Sequence, residues 1–221
     1  LTGKSKKGYT HIEHFDPDVE VYNTSHQDLL FKFDAGDQYI NFNDFISKEA
    51  EEYADGGEGV TYLVWNILYN DDDKELSREL VGYYTLAATA IPYIDRIRLD
   101  EEEAQKTGNE FSCEICGITA IEIKMFAIDK KYQDLFYCYE GEDLPISAWI
   151  LRKIIDYSYS LLTEVLGFKA LFLHSLPEAE SFYRTNGFHP VEVNMQPLHC
   201  IDSEYKAMYL TLKEVHMNYD D

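Results

Sequence analysis

Positive charge is in short supply in this sequence. Nineteen Lys and Arg stand against 41 Asp and Glu in 221 residues, a formal net charge of −22. A polyanion approaching that field is repelled wherever a local basic patch is missing, so nucleic acid is not expected as a partner. A cationic partner, such as a polyamine or a lysine-rich protein, is drawn in by the same field. Long apolar runs are also missing: none approaches the roughly 20 residues that span a bilayer. The basic start Lys4-Ser5-Lys6-Lys7 is not followed by the apolar stretch of a secretory signal. No membrane contact and a cytoplasmic location are the expectation. Cysteine is scarce, with four residues. Cys113-Glu114-Ile115-Cys116 is a C-x-x-C that Cys200 with His199 could complete on paper, but the spacing of that second pair is wrong for a zinc finger. Cys113 and Cys116 also fall on a strand-like run, where residues three apart face opposite sides. Reduced structural thiols and no metal are expected.

What is present is enough apolar material for a buried core, at 45% of residues. With no internal repeat and no low-complexity linker, residues 1–221 read as one domain, with residues 1–20 a poorly ordered or peripheral segment. Val19-Glu20-Val21-Tyr22 is a weak candidate for the first strand. Phe42, Phe45, Ile46 and Ala50 repeat at helical spacing, and Gly56-Gly57-Glu58-Gly59 stops that helix. Two acidic polar stretches, residues 70–75 and 100–109, have loop composition. The first separates two β-prone runs, residues 61–66 and 80–88, as in an antiparallel hairpin. The second leads into a third strand ending near Asp129.

Downstream, Ile146, Ile150, Leu151, Ile154, Ser158, Leu161, Leu162 and Val165 form a helical stripe. Asp143 is placed to cap this helix, Pro145 falls in its first turn, and Gly167 suits its end. A strand over residues 170–174, a short helix over residues 177–185, and strands near residues 191–193 and 207–212 follow. Strand, long helix, strand is a parallel crossover, so the fold class is α/β (α+β): a mixed, mostly antiparallel sheet with one parallel crossover and flanking helices.

Two motifs within this order are specific. Lys124-Met125-Phe126-Ala127-Ile128-Asp129 ends the strand before the long helix, and Phe182-Tyr183-Arg184-Thr185-Asn186-Gly187-Phe188 lies in the short helix. Together they resemble the core of the GNAT superfamily of acyl-CoA-dependent N-acetyltransferases, over roughly residues 28–212. Phe33-Asp34-Ala35-Gly36 followed by Asn43-Asp44-Phe45-Ile46 is similar to a segment of toxin-like members. The resemblance implies acetyl-CoA as co-substrate, a primary amine as acceptor, and room for a homodimer. It implies that backbone of Met125, Phe126 and Ile128 pairs with the pantetheine amides, as an added strand would. It further implies that Tyr183 protonates the departing thiolate, which a phenol of pKa about 10 can do at neutral pH.

The superfamily's R/Q-x-x-G-x-G/A phosphate loop is altered here. Gln133 can take its first position, but residues 133–143 then contain Gly141 as their single glycine, along with Glu140, Glu142 and Asp143. Like charges about 4 Å apart repel by about 4 kcal/mol at an effective dielectric near 20. Lys130, Lys131, Arg152 and Lys153 are the residues that could offset this, and a longer loop that folds back is the gentler alternative. Glu122 and His174 are the two candidates for the base that deprotonates the acceptor amine. The competing reading is a GNAT fold without catalysis, an acidic protein that binds a basic partner. An acetylated aminoacyl-tRNA ranks third, because phosphate contacts dominate such binding and the charge opposes them.

Overall fold

Strand β2 (Pro17–Val21) pairs antiparallel with β3 (Val60–Tyr69), and β3 pairs antiparallel with β4 (Glu75–Arg98). The computed structural model describes residues 10–70, 72, 74–139, 141–192, 195 and 205–213. These fall into two compact units, one of residues 10–87 and 123–157, the other of residues 88–122 and 158–213.

In the first unit the sheet order is β2-β3-β4-β5, where β5 is Phe111–Ile128 and contributes its last six residues. Leu63, Trp65, Ile67, Leu80 and Tyr83 line one face of this sheet at or near full burial. Against them pack α1 (Gln27–Leu30), α2 (Ile40–Asp44), a π-turn over Phe45–Glu49 and α3 (Ala50–Asp55), through Leu30, Phe33, Phe45, Ile46 and Ala50. Tyr83 pins α2 by donating its hydroxyl hydrogen to the Phe42 carbonyl at 2.7 Å. Register shifts between Val64 and Trp65, so Val81 is bulged, and its carbonyl accepts from the Asp129 N–H at 2.8 Å. Gly82 beside it is required by packing: a Cβ there would lie 2.6 Å from the Ala127 carbonyl oxygen. The strand expected over residues 19–22 is β2, and the helix expected near residues 41–53 is divided among α2, the π-turn and α3.

In the second unit the order is β4-β5-β8-β10-β9, with β8 Ala170–Ser175, β9 His189–Pro190 and β10 Lys206–Thr211. β10 runs antiparallel to both β8 and β9. The Lys169 N–H donates to Thr119 O at 2.8 Å and His174 meets Glu122 further along. Partners that rise together in sequence on both strands mark β5 and β8 as parallel. Ile91, Ala120, Ala170, Phe172 and Met195 form the core of this unit.

Several expectations are corrected. The acidic stretch 100–109 is a helix, α4 (Glu101–Thr107), not a loop. Asp100 accepts from the Glu103 N–H as its cap, three glutamates occupy the first turn, and Lys106 pairs with Glu102 one turn back. The long helix is α5 (Ile146–Glu164), but Asp143 does not cap it and Pro145 does not lie in its first turn. Both belong to strand β7 (Glu142–Pro145). Gly167 does not have the left-handed backbone of a helix-ending glycine. The Val165 and Leu166 N–H groups instead close the last turn on Leu161 O. Val165 is exposed, so the buried stripe is shorter than its periodicity suggests. Val191 and Glu192 lie outside any strand, although the Val191 N–H donates to Ala207 O, and Val193 lies outside the described residues. Residues 10–20 include β1 (Thr10–His11) and most of β2, an edge strand, while residues 1–9 lie outside the described residues.

Candidate active site

The turn that leaves β5 is built by one buried carboxylate. Asp129, 4% exposed, accepts from the Lys131 N–H at 3.0 Å and the Asp34 N–H at 3.0 Å. The Lys130 N–H donates to Asp34 O at 2.8 Å, and the Lys130 ammonium pairs with the Asp34 carboxylate. That ammonium, followed by the Gly36 N–H, holds the Asp34 carboxyl below its usual range, and the same pair raises Lys130. Asn43 accepts from the Ala35 N–H at 2.8 Å. The segment 33–36 and Asn43, which the sequence sets apart, therefore dock the helical layer onto the end of β5.

Gln133 shares this work. Its side-chain N–H2 donates to Ala35 O at 2.8 Å and to Ile128 O at 2.9 Å. A phosphate needs donors, and both hydrogens of this amide are committed to backbone. Gln133 thus fastens the turn, and the Ile128 carbonyl is one of its anchors. Met125 is half-buried against the core of the first unit. Phe126 is likewise half-buried.

Beyond Gln133 the chain folds back as a hairpin of residues 135–139 and 142–145. β6 (Leu135–Tyr139) pairs antiparallel with β7, and β1 adds to β6 in parallel, with Thr10 opposite Leu135. Gly141, at φ +86°, supplies the left-handed backbone of the tight turn. Aromatic rings fill the hairpin: Phe15 meets Tyr137 edge-on at 5.0 Å and Trp149, in the first turns of α5, at 5.4 Å. The Trp149 indole N–H is buried without a hydrogen-bond partner.

The basic residues expected to offset the acidic loop are all engaged. Arg152 lies 3.4 Å from Glu142, Lys131 3.9 Å from Glu79, and the Lys153 ammonium stands over the rings of Tyr139 and Trp149 at 5.2 and 5.4 Å. His11 lies 3.8 Å from Asp143. Glu142 thus has a cationic neighbour in Arg152, which lessens the repulsion that composition alone implies, and Asp143 faces a histidine. A cavity of about 260 Å³ near the same turn is lined by Lys32, Trp65, Arg78, Glu79, Asp129 and Lys131. Its Arg78 is held by Glu75 and Glu20.

In the second unit, α6 (Glu180–Thr185) follows a 3-10 turn at Pro177–Ala179 and buries Tyr183. The ring meets Phe182 and Phe188 edge-on at 5.2 and 5.7 Å. Burial pushes the phenol well above its ordinary value, so it stays protonated through neutral and mildly alkaline pH. Glu122, 6% exposed on β5, and His174 on β8 come together with Oε1 and Nδ1 3.3 Å apart. Fifty-two residues separate them, and neither periodicity nor a local motif joins them in the sequence. Among the described residues no group of three His, Cys, Asp or Glu side chains is placed to hold a metal, and Cys113, Cys116 and Cys138 are free thiols. Cys200 lies outside the described residues. No helix of the described residues is long and apolar enough to cross a membrane.

The architecture is that of the GNAT fold, with antiparallel strands, a helical layer before β3, and the β5-α5-β8 crossover. Among solved structures it is similar to AtaTR bound with acetyl-CoA, at TM-score 0.60 and 18% identity, over 92% of this chain and 98% of that one. It is similar to AtaT complexed with acetyl-methionyl-tRNAfMet, at 0.59 and 20%, over 92% and 99%. A third similar structure is the KacTA–DNA complex, at 0.58 and 18%, over 93% and 100%. No family model and no curated protein matches the sequence.

Proposed function

We propose that this protein is an N-acetyltransferase that moves the acetyl group of acetyl-CoA to a primary amine by direct attack. One observation carries the reading. Its fold matches, over nearly the whole of both chains, the fold of AtaT structures that hold acetyl-CoA and an acetylated aminoacyl-tRNA. A match over 92% of this chain, and not over one of its two units alone, also supports the one-domain reading. In this account the backbone of Met125, Phe126 and Ile128 serves the pantetheine arm. Gln133 acts by fixing the turn that presents that backbone. Tyr183 gives its proton to the departing thiolate, and burial among aromatic rings keeps that proton available. Glu122 belongs to the machinery that removes the proton from the acceptor.

The acceptor is an amine on a small molecule or protein, favoured as a cation by the charge of −22. A second reading, an amine carried on tRNA, is favoured by the AtaT complex and opposed by the same charge. Radiolabelled acetyl-CoA offered with polyamines, lysine-rich peptide and charged tRNA in parallel decides between them. Label on the free amines or peptide supports the first, and label on tRNA alone supports the second. No label on any acceptor, with no cofactor binding, leaves the acidic binding protein.

A further inference from the structure

His174 is the penultimate residue of β8, with its side chain about one-third exposed at 35%, and it faces a glutamate whose side chain is only 8% exposed. An ionised carboxylate accepts hydrogen bonds and cannot donate. With Glu122 ionised, the contact between its Oε1 and His174 Nδ1 at 3.3 Å sets the imidazole proton on Nδ1 and leaves the lone pair on Nε2. The ring is also held edge-on by Phe172, with centroids 4.9 Å apart at 85°. On the opposite side, β10 sets Ala207 across from His174, and the neighbouring Lys206 is drawn to Glu180. A buried acid that orients a partly exposed imidazole by its Nδ1 is the logic by which such rings are made into bases.

We propose that Glu122 is a positioning residue and that His174 is the general base, a division of labour that rests on the acetyltransferase reading. The acceptor ammonium first gives its extra proton to solvent, and the neutral amine nitrogen attacks the thioester carbonyl carbon with its lone pair, forming the C–N bond and moving the carbonyl π pair onto oxygen. The nitrogen, now positively charged, gives one proton to His174 Nε2. The carbonyl re-forms, the C–S bond breaks with its pair on sulfur, and sulfur takes the Tyr183 proton. Imidazolium and tyrosinate return to their resting forms through solvent, so the balance is amine plus acetyl-CoA to amide plus CoA.

The test uses the full chain, labelled with ¹⁵N-histidine, as wild type, His174→Gln, Glu122→Leu and Glu122→Asp. Imidazole ¹⁵N spectra of the wild type are expected to show His174 protonated on Nδ1, a preference lost in Glu122→Leu and kept in Glu122→Asp. His174→Gln is expected to lower kcat by about 10²- to 10⁴-fold with KM for acetyl-CoA unchanged. Glu122→Leu is expected to lower kcat by about 10- to 100-fold, with recovery in Glu122→Asp. A wild-type His174 protonated on Nε2, or an active enzyme whose kcat survives His174→Gln, overturns the proposal alone. A wild type with the expected tautomer that acetylates no amine overturns the acetyltransferase reading and the base role together.

Discussion

Replacing Tyr183 by Phe removes one oxygen from a side chain that is 9% exposed and leaves its edge-on contacts with Phe182 and Phe188 in place. The stability cost should therefore stay near the net worth of a single hydrogen bond, about 1 kcal/mol. Tyr183→Ala, which empties the same site, should cost about 3–5 kcal/mol. The rate responds differently. Without the phenol the thiolate must leave unprotonated, and a lost general acid costs about 10²- to 10⁴-fold, or about 3–5.5 kcal/mol of barrier. Because burial holds the phenol protonated, the loss should be constant across neutral and mildly alkaline pH. Release of free CoA thiol, followed at saturating acetyl-CoA and acceptor, reads kcat directly, and a melting curve on the same samples separates chemistry from packing. A Tyr183→Phe protein with wild-type kcat would refute the assignment. One that melts far below the wild type would refute the claim that the ring contacts, and not the hydroxyl, hold α6.

Gly82→Ala should cost about 1–3 kcal/mol, because its Cβ would fall 2.6 Å from the Ala127 carbonyl oxygen and 2.9 Å from Ile128 Cδ1. An unchanged melting temperature would show that β4 and β5 can separate without penalty. Phe15→Ala, at a site 6% exposed between Tyr137 and Trp149, should cost about 3–5 kcal/mol by chemical denaturation. A cost under about 1 kcal/mol would mean that the aromatic cluster does not hold the hairpin. Alkali should destabilise the fold steeply. Burial raises the phenols of Tyr83, Tyr84 and Tyr183, and Tyr132 is pushed up to about 12 by burial and by Glu79. Unfolded tyrosine ionises from about pH 10 while these folded ones keep their protons, so the unfolded state binds fewer protons and stability falls as pH rises. Tyr83, Tyr84 and Tyr183 should each remove about 1.4 kcal/mol per pH unit above about 10, with full stability below that. A flat melting temperature between pH 9 and about 11 would contradict this.

The crossover could be read from the residues because its signals are local. Ile146, Ile150, Leu151 and Ile154 repeat on one helical face, and all are buried. The hairpin was equally written there, since Leu135-Phe136-Tyr137-Cys138-Tyr139 is a run of strand formers before a turn glycine. Set beside a glycine-rich loop, the same residues stand out for the glycines they lack. Helix α4 was hidden behind its acidity: Asp100, Glu101, Glu102 and Glu103 look like a solvated loop until they are seen as a cap and a first turn that complement the helix dipole. The meeting of Glu122 with His174 depends on the register of two parallel strands joined by a long crossover, and no spacing rule states that register. The engagement of Gln133 with Ala35 and Ile128 likewise depends on how the turn after β5 docks, which the identity of a single glutamine does not reveal.

A protein with an aromatic, ion-paired hairpin where a glycine-rich phosphate loop is expected should still take acetyl-CoA. Calorimetric titration of acetyl-CoA into the purified protein tests it without knowledge of the acceptor. Saturable one-to-one binding with Kd in the micromolar range, about −8 kcal/mol, is the expected result. Absence of binding heat at millimolar cofactor would contradict it and turn the search toward basic protein partners.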